Sequence, residues 1–244
     1  CNWDDVMYLV AQVPSATHVV ASGISDHQSG APEPHREETF DIVTSLRIGL
    51  DVGNHKSTFR ICSFRNLEEL CITGSWDSIS VDRPTGVHPL TALKALVTLA
   101  KLSIDVNVGS KRAGHVSDRV VGIIVKSMNR LVSFSIRNSL KFVDMPVMPQ
   151  TIRELAICGC FLFKSASVEN LCKAHPELVA LNIAGSGEVG NSLVDIGTLV
   201  ALRDLKMDIS QTVTAAEMAS LRHLAALNTL TVQCDDNLVN LPGG

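Results

Sequence analysis

Aromatic side chains are scarce, at 4% of 244 residues with two Trp and one Tyr. The core must therefore be aliphatic, drawn from the Leu, Val, Ile and Ala that help make the chain 45% hydrophobic. Any binding surface likewise has few of the Trp and Tyr anchors that dominate typical interfaces. Long apolar runs are missing too. A membrane-spanning helix needs roughly 18–20 such residues, and a run such as VVGIIV at 120–125 falls far short. An excess of positive charge is also lacking. The formal net charge of -4 leaves no electrostatic footprint for nucleic acid or an anionic membrane surface. There is no signal-peptide architecture, and no Asn is followed two residues on by Ser or Thr, which excludes a glycosylation acceptor. Seven cysteines are an odd number in a chain too long to need disulfide staples. Together these absences point to a reducing, intracellular and cytoplasmic setting. The chain opens on Cys1 rather than Met, so both ends read as cut, and 1–244 is expected to be one domain of a longer protein.

What is present is a recurring spacing. Leu178 to Ser186, LVALNIAGS, places apolar residues at its positions 1, 4 and 6 and a small hydrogen-bonding residue at position 9. In a short strand, residues 4 and 6 share one side while 3, 5 and 7 point the other way. The pattern recurs with position 4 at Val19, Leu46, Leu70, Leu102, Phe134, Leu155, Leu181, Leu205 and Leu230, at intervals of 21 to 32 residues. One such unit cannot bury its apolar side alone, whereas stacked units can, so the spacing predicts a solenoid. Position 9 is the sharper test, because a side chain inside the turn must satisfy buried backbone groups. Its occupants are Ile24, Asp51, Ser75, Asn107, Ser139, Cys160, Ser186, Ser210 and Asp235, and only Ile24 is unsuited.

Between the strands, Ser165 to Leu178 has helix-like apolar intervals, as do Leu90, Leu93, Leu96 and Val97. Thr214 and Glu217 have capping-box spacing ahead of Met218, Leu221, Leu224 and Leu227. HQSGAPEPHREE (27–38) and GSKRAGH (109–115) are expected to be protruding loops. Leu238 and Leu241 suggest the start of a tenth unit.

The repeats, and in particular RELAICGC followed by SVENLCKAHPELVALNIAGS, resemble the leucine-rich-repeat superfamily over essentially the whole chain. The closest likeness is to the irregular, cysteine-containing subtype of F-box receptors and scaffold proteins. Repeat lengths vary, however, Cys occupies position 9 only once, and there is no F-box-like helical segment. The resemblance implies an α/β solenoid, a right-handed coil of about nine repeats with a parallel sheet on its concave side and helical or irregular convex segments. It also implies protein partners bound on the concave side, with chemistry rare.

Three chemical motifs compete with that reading. Gly185-Ser-Gly187-Glu-Val-Gly190 follows a predicted strand, and Asp208 ends the next one, which approaches the dinucleotide fingerprint of a nucleotide-binding enzyme. The following strand, LRDLKMD, alternates apolar with charged residues, unlike the continuous apolar strands of a doubly wound sheet. The glycines are better explained as relieving a tight turn. Cys158, Cys160, Cys172 and His175 spell a zinc set, but the repeat register sends Cys158 to the concave surface, Cys160 into the turn and Cys172 to a packed helix side. His18, His115, His175 and His223 fall in different repeats, and none has a nucleophile and an orienting acid at recognisable spacing. No catalytic residue, metal, cofactor or small-molecule substrate is therefore expected.

The remaining surface is the concave face. Candidate partner-binding residues there are Arg47, Glu69, Lys101, Asp105, Ser133, Ser135, Arg137, Glu154, Cys158, Asn182, Asp204 and Lys206. Arg47 and Arg137 are the strongest by residue type. A run of small Ala, Ser and Thr side chains from Ser133 to Ala184 would permit close approach of a partner's helix or sheet edge. The bland alternative is a merely solvated sheet. The expected function is a non-enzymatic protein–protein interaction scaffold, one arm of a larger assembly. The substrate-recognition arm of a ubiquitin ligase is the alternative.

Overall fold

Residues two apart in a strand share a face, so the apolar pair at positions 4 and 6 of each unit forms a buried edge only when the units pair in register. The computed structural model shows this pairing. It describes residues 3–24, 40–50, 60–74, 88–106, 116–187, 192–209 and 213–234. Nine strands form one parallel sheet in sequence order. They are β1 (His18–Ile24), β2 (Ser45–Leu50), β3 (Glu69–Gly74), β4 (Lys101–Val106), β5 (Ser133–Arg137), β6 (Glu154–Cys158), β7 (Ala180–Asn182), β8 (Asp204–Ile209) and β9 (Thr229–Cys234). Each predicted unit supplies one strand. Consecutive neighbours joined by parallel pairing are what stacked coils of chain produce, consistent with a repeat solenoid.

Position 4 pairs with position 4 at every junction, from Val19 with Leu46 to Leu205 with Leu230. Leu46, Leu70, Leu102, Phe134, Leu155, Leu181 and Leu205 are all buried, as are Ile48, Ile72, Ile104, Ile136, Ile157, Ile183 and Met207 at position 6. The return segments cover this side. They include α1 (Trp3–Gln12), a 3₁₀ turn at Pro89–Ala95, α2 (Asp118–Val125), α3 (Ser165–Ala174), α4 (Leu193–Ile196) and α5 (Ala215–Ser220). Val121 and Ile124 of α2, Val168 and Leu171 of α3, and Leu193 and Ile196 of α4 join the strand leucines in one core. The predicted capping box is present. Thr214 accepts from the Glu217 amide while the Glu217 carboxylate accepts from the Thr214 amide.

Backbone chemistry fixes how one coil sits on the next. The carbonyl at position 2 of each unit accepts two amides from the following unit, those of positions 2 and 3. Thr17, Thr44, Glu68, Ala100, Val132, Arg153, Val179 and Arg203 all do so, at 2.7–3.1 Å. Both lone pairs of the oxygen are thus used at every junction. Hydroxyls add rungs between neighbouring coils. Thr98 Oγ1 donates to Leu67 O at 2.9 Å, and Thr151 Oγ1 to Leu131 O at 2.7 Å.

The two described position 9 hydroxyls behave as their chemistry requires. Ser139 is fully buried and donates to Val116 O at 2.6 Å. Ser186 is 2% exposed, donates to Ile157 O at 2.7 Å and accepts the Cys160 amide at 3.1 Å. The unsuited Ile24 has a physical explanation. The β1–β2 register shifts between Ala21 and Ile24, so Ile24 pairs with Leu50, a position 8 residue. The extra residue is accommodated as a bulge at Gly23, whose φ of 65° is left-handed. Ile24 is therefore a core residue, not a turn residue. Asp51, Ser75, Asn107, Ser210, Asp235, Leu238 and Leu241 lie outside the described residues, as do both expected loops at 27–38 and 109–115.

Two predictions follow the coil-to-coil contacts. Ser186→Ala leaves the Cys160 amide and the Ile157 carbonyl without their partner and is expected to cost about 1–3 kcal/mol, read as a lowered urea midpoint. His175 is 5% exposed, and burial, helped by the nearby Arg153 charge, lowers its pKa from 6.5. Above that value neither state is protonated there. As pH falls below it, the unfolded chain takes up a proton that the native ring resists, so stability declines toward the lowered native pKa. In denaturant titrations across this range, the wild-type midpoint falls more steeply than that of His175→Asn.

Candidate partner-binding surface

Strand alternation sends positions 3, 5 and 7 to the face opposite the core, where they form rows across the sheet. The position 3 row runs His18, Ser45, Glu69, Lys101, Ser133, Glu154, Ala180, Asp204, Thr229. The position 5 row runs Val20, Arg47, Cys71, Ser103, Ser135, Ala156, Asn182, Lys206, Thr231 in the same register. These side chains are half-buried or exposed, and none joins the core. All twelve sequence candidates lie on this open face.

The structure divides them into two groups. A depression of about 330 Å³ crosses five consecutive strands, β5 to β9. Ser133, Ser135, Glu154, Asn182, Asp204 and Lys206 line it, together with Ala156, Ala180, Thr229 and Thr231. Arg47, Glu69, Lys101, Asp105, Arg137 and Cys158 share the face but stand outside the depression. The two arginines ranked first by residue type are thus not part of the concavity. Its floor is made by Ala156 and Ala180, whose contribution is missing volume. The run of small residues from Ser133 was the sequence signal for it, extended in the structure by two threonines on β9, whereas Ala184, at the expected end of the run, lies beyond β7, is buried and does not line the depression.

Outside the depression Lys101, Glu69 and Asp105 have side-chain partners. Lys101 Nζ lies 2.7 Å from Glu69 Oε1, with both side chains about half exposed. The Lys101 hydrogen bond holds the Glu69 carboxyl below its ordinary pKa, and Glu69 in turn raises that of Lys101. At such exposure the pair contributes little to stability. Asp105 Oδ1 accepts Asn138 Nδ2 at 3.0 Å. Arg137 sits in register between Asp105 and Cys158. Burial pushes the Cys158 thiol up, partly offset by the positive charges of Arg137 and Lys206.

The glycine turn after β7 is shaped by its neighbours. Asn138, Gly159 and Gly185 occupy position 8 of three successive units with φ of 59°, 65° and 69°. The Asn138 amide donates to Cys158 O at 2.8 Å and the Gly159 amide to Ala184 O at 3.1 Å. The Gly185 amide donates to Asp208 Oδ2 at 2.6 Å. The amide and the acid that a dinucleotide would use are therefore bonded to each other. A Cβ on Gly187 would stand 2.0 Å from Phe163 O, so this glycine serves a close backbone crossing. Gly190 lies outside the described residues.

The sulfur set does not converge. Cys158 is half-buried on the open face, Cys172 is buried on α3, and the buried Cys160 thiol donates to Cys158 O at 3.7 Å. Burial pushes the thiols of Cys160 and Cys172 up to about 11 and about 12. Among the described residues, no group of three or more His, Cys, Asp or Glu is arranged to hold a metal ion. No described helix is long and apolar enough to cross a membrane. Comparison of the chain with protein-family models and with curated proteins found no match.

Thiols held protonated by burial react slowly, because the thiolate is the nucleophile. At neutral pH, iodoacetamide followed by peptide mass spectrometry is expected to show Cys160 and Cys172 alkylated at least tenfold more slowly in the native chain than in urea. Equal rates would contradict the packing described here.

Proposed function

We propose that the chain is a non-enzymatic leucine-rich-repeat scaffold that binds a protein partner on its open sheet face, at the depression over β5–β9. The observation that carries this reading is the depression itself, which spans five strands and is lined by positions 3 and 5. A sheet that is merely solvated has no reason to clear side-chain volume from adjacent strands. Here Ala156, Ala180 and the Ser and Thr side chains do so together. Small residues let a partner's backbone come close, and the surrounding polar groups supply direction.

The right-handed coil, the concave curvature and the superfamily assignment belong to this proposal, supported by the repeat spacing and by strands that pair in sequence order. Membership of a larger assembly is part of the same reading.

The test is recovery of co-purifying proteins on the tagged chain. Ala156→Trp, which fills the depression, is expected to reduce recovery of the specific partner by about tenfold or more. The paired Arg47→Glu and Arg137→Glu changes, outside the depression, leave recovery near the wild-type level. If filling the depression leaves the set of recovered proteins unchanged, the open face is not the binding surface.

A further inference from the structure

We propose that the depression takes a polypeptide segment by seating one of its arginine side chains over Ala180, between the carboxylates of Glu154 and Asp204. This inference rests on the reading of the open face as a binding surface and specifies the chemistry of what binds. Glu154, Ala180 and Asp204 are direct neighbours in the position 3 row. Adjacent strands lie about 4.8 Å apart, so the two acidic residues stand roughly 10 Å apart at their Cα atoms. Both side chains are exposed, and Ala180 leaves only a methyl group between them. A guanidinium fits such a gap better than an ammonium. It is a planar fork of five donors that can serve two carboxylates at once, whereas lysine acts as a point charge.

The charge balance of the row supports this occupant. Lys101 lies in the same row beyond Ser133, but its ammonium is committed to Glu69 at 2.7 Å. Among the described residues, neither the Glu154 nor the Asp204 carboxylate enters a hydrogen bond or an ion pair, and Glu154 has only a coulombic attraction to Lys101. Lys206 lines the depression in the next row, two residues along β8 from Asp204, and forms no ion pair with it. Two acids against one base leave the lining of the depression with a net negative charge.

The experiment pans a displayed library of random peptides on the full chain, then measures the enriched peptides by fluorescence anisotropy. Enriched sequences are expected to share an arginine among small or neutral residues. Replacing that arginine with citrulline, which keeps the shape and removes the charge, should weaken binding roughly tenfold or more. The Glu154→Gln and Asp204→Asn double variant should lose as much for the arginine peptide and show no further loss with citrulline. Both substitutions are on the surface, and unchanged thermal unfolding confirms that the fold is retained. A library that yields no arginine-bearing peptides, or binding that the double variant does not alter, overturns the proposal. If Ala156→Trp still abolishes binding in that case, the open face remains the docking surface and only the carboxylate clamp fails. If Ala156→Trp has no effect either, both readings fall.

Discussion

The position 2 carbonyl, with its two amide donors from the next coil, is the contact on which the rest of the molecule depends. It recurs at all eight junctions between strands. Because it holds two consecutive amides, it fixes the rise and the register of each coil in one step. A slip of a single residue would turn Leu155 or Leu181 outward and bring Ala156 or Asn182 into the core. The hydrophobic stack supplies most of the favourable free energy, but it is tolerant of small displacements. The paired amides are directional, and so they select one arrangement among many that would bury comparable area. The rows on the open face inherit their alignment from this selection.

The apolar periodicity made the sheet legible in the chain, since positions 4 and 6 are separated locally and read without knowledge of the stacking. The polar test at position 9 also succeeded at Ser139 and Ser186, where a hydroxyl is the simplest group able to serve a buried carbonyl. It marked Ile24 as unsuited without giving the cause, because a bulge adds one residue and spacing alone cannot show which residue is extra. The left-handed stair of Asn138, Gly159 and Gly185 escaped notice for a related reason. Asn and Gly look unrelated until three coils are superposed and all three stand at position 8. The depression was half legible. Residue type favoured Arg47 and Arg137 as binding anchors, whereas the concavity is a shortage of side-chain volume shared by neighbouring strands, visible only when Ala156 and Ala180 are placed beside Ser135 and Thr231.

Local chemistry and global register also explain why the competing motifs look convincing in one dimension. Gly185 and Asp208 imitate a cofactor site because a tight turn and an acid in the next strand are what the coil itself needs. The acid caps an amide for which the following coil provides no carbonyl. Cys158, Cys160 and Cys172 imitate a zinc set because thiols are small, apolar enough to bury, and tolerated at several distinct positions of a repeat. Cys158 is half-buried on the open face, whereas Cys160 and Cys172 are buried, so the three thiols stand in different surroundings.

The strand order has a mechanical corollary. Every strand of this sheet pairs only with its predecessor and successor, so tension applied at the termini loads one junction at a time, beginning at an end. Each released coil of about 25 residues would lengthen the molecule by roughly 80 Å, and the intact remainder would keep its packing because no distant strand leans on the lost one. A stack held together only between neighbours has a stability close to a sum of unit and junction contributions.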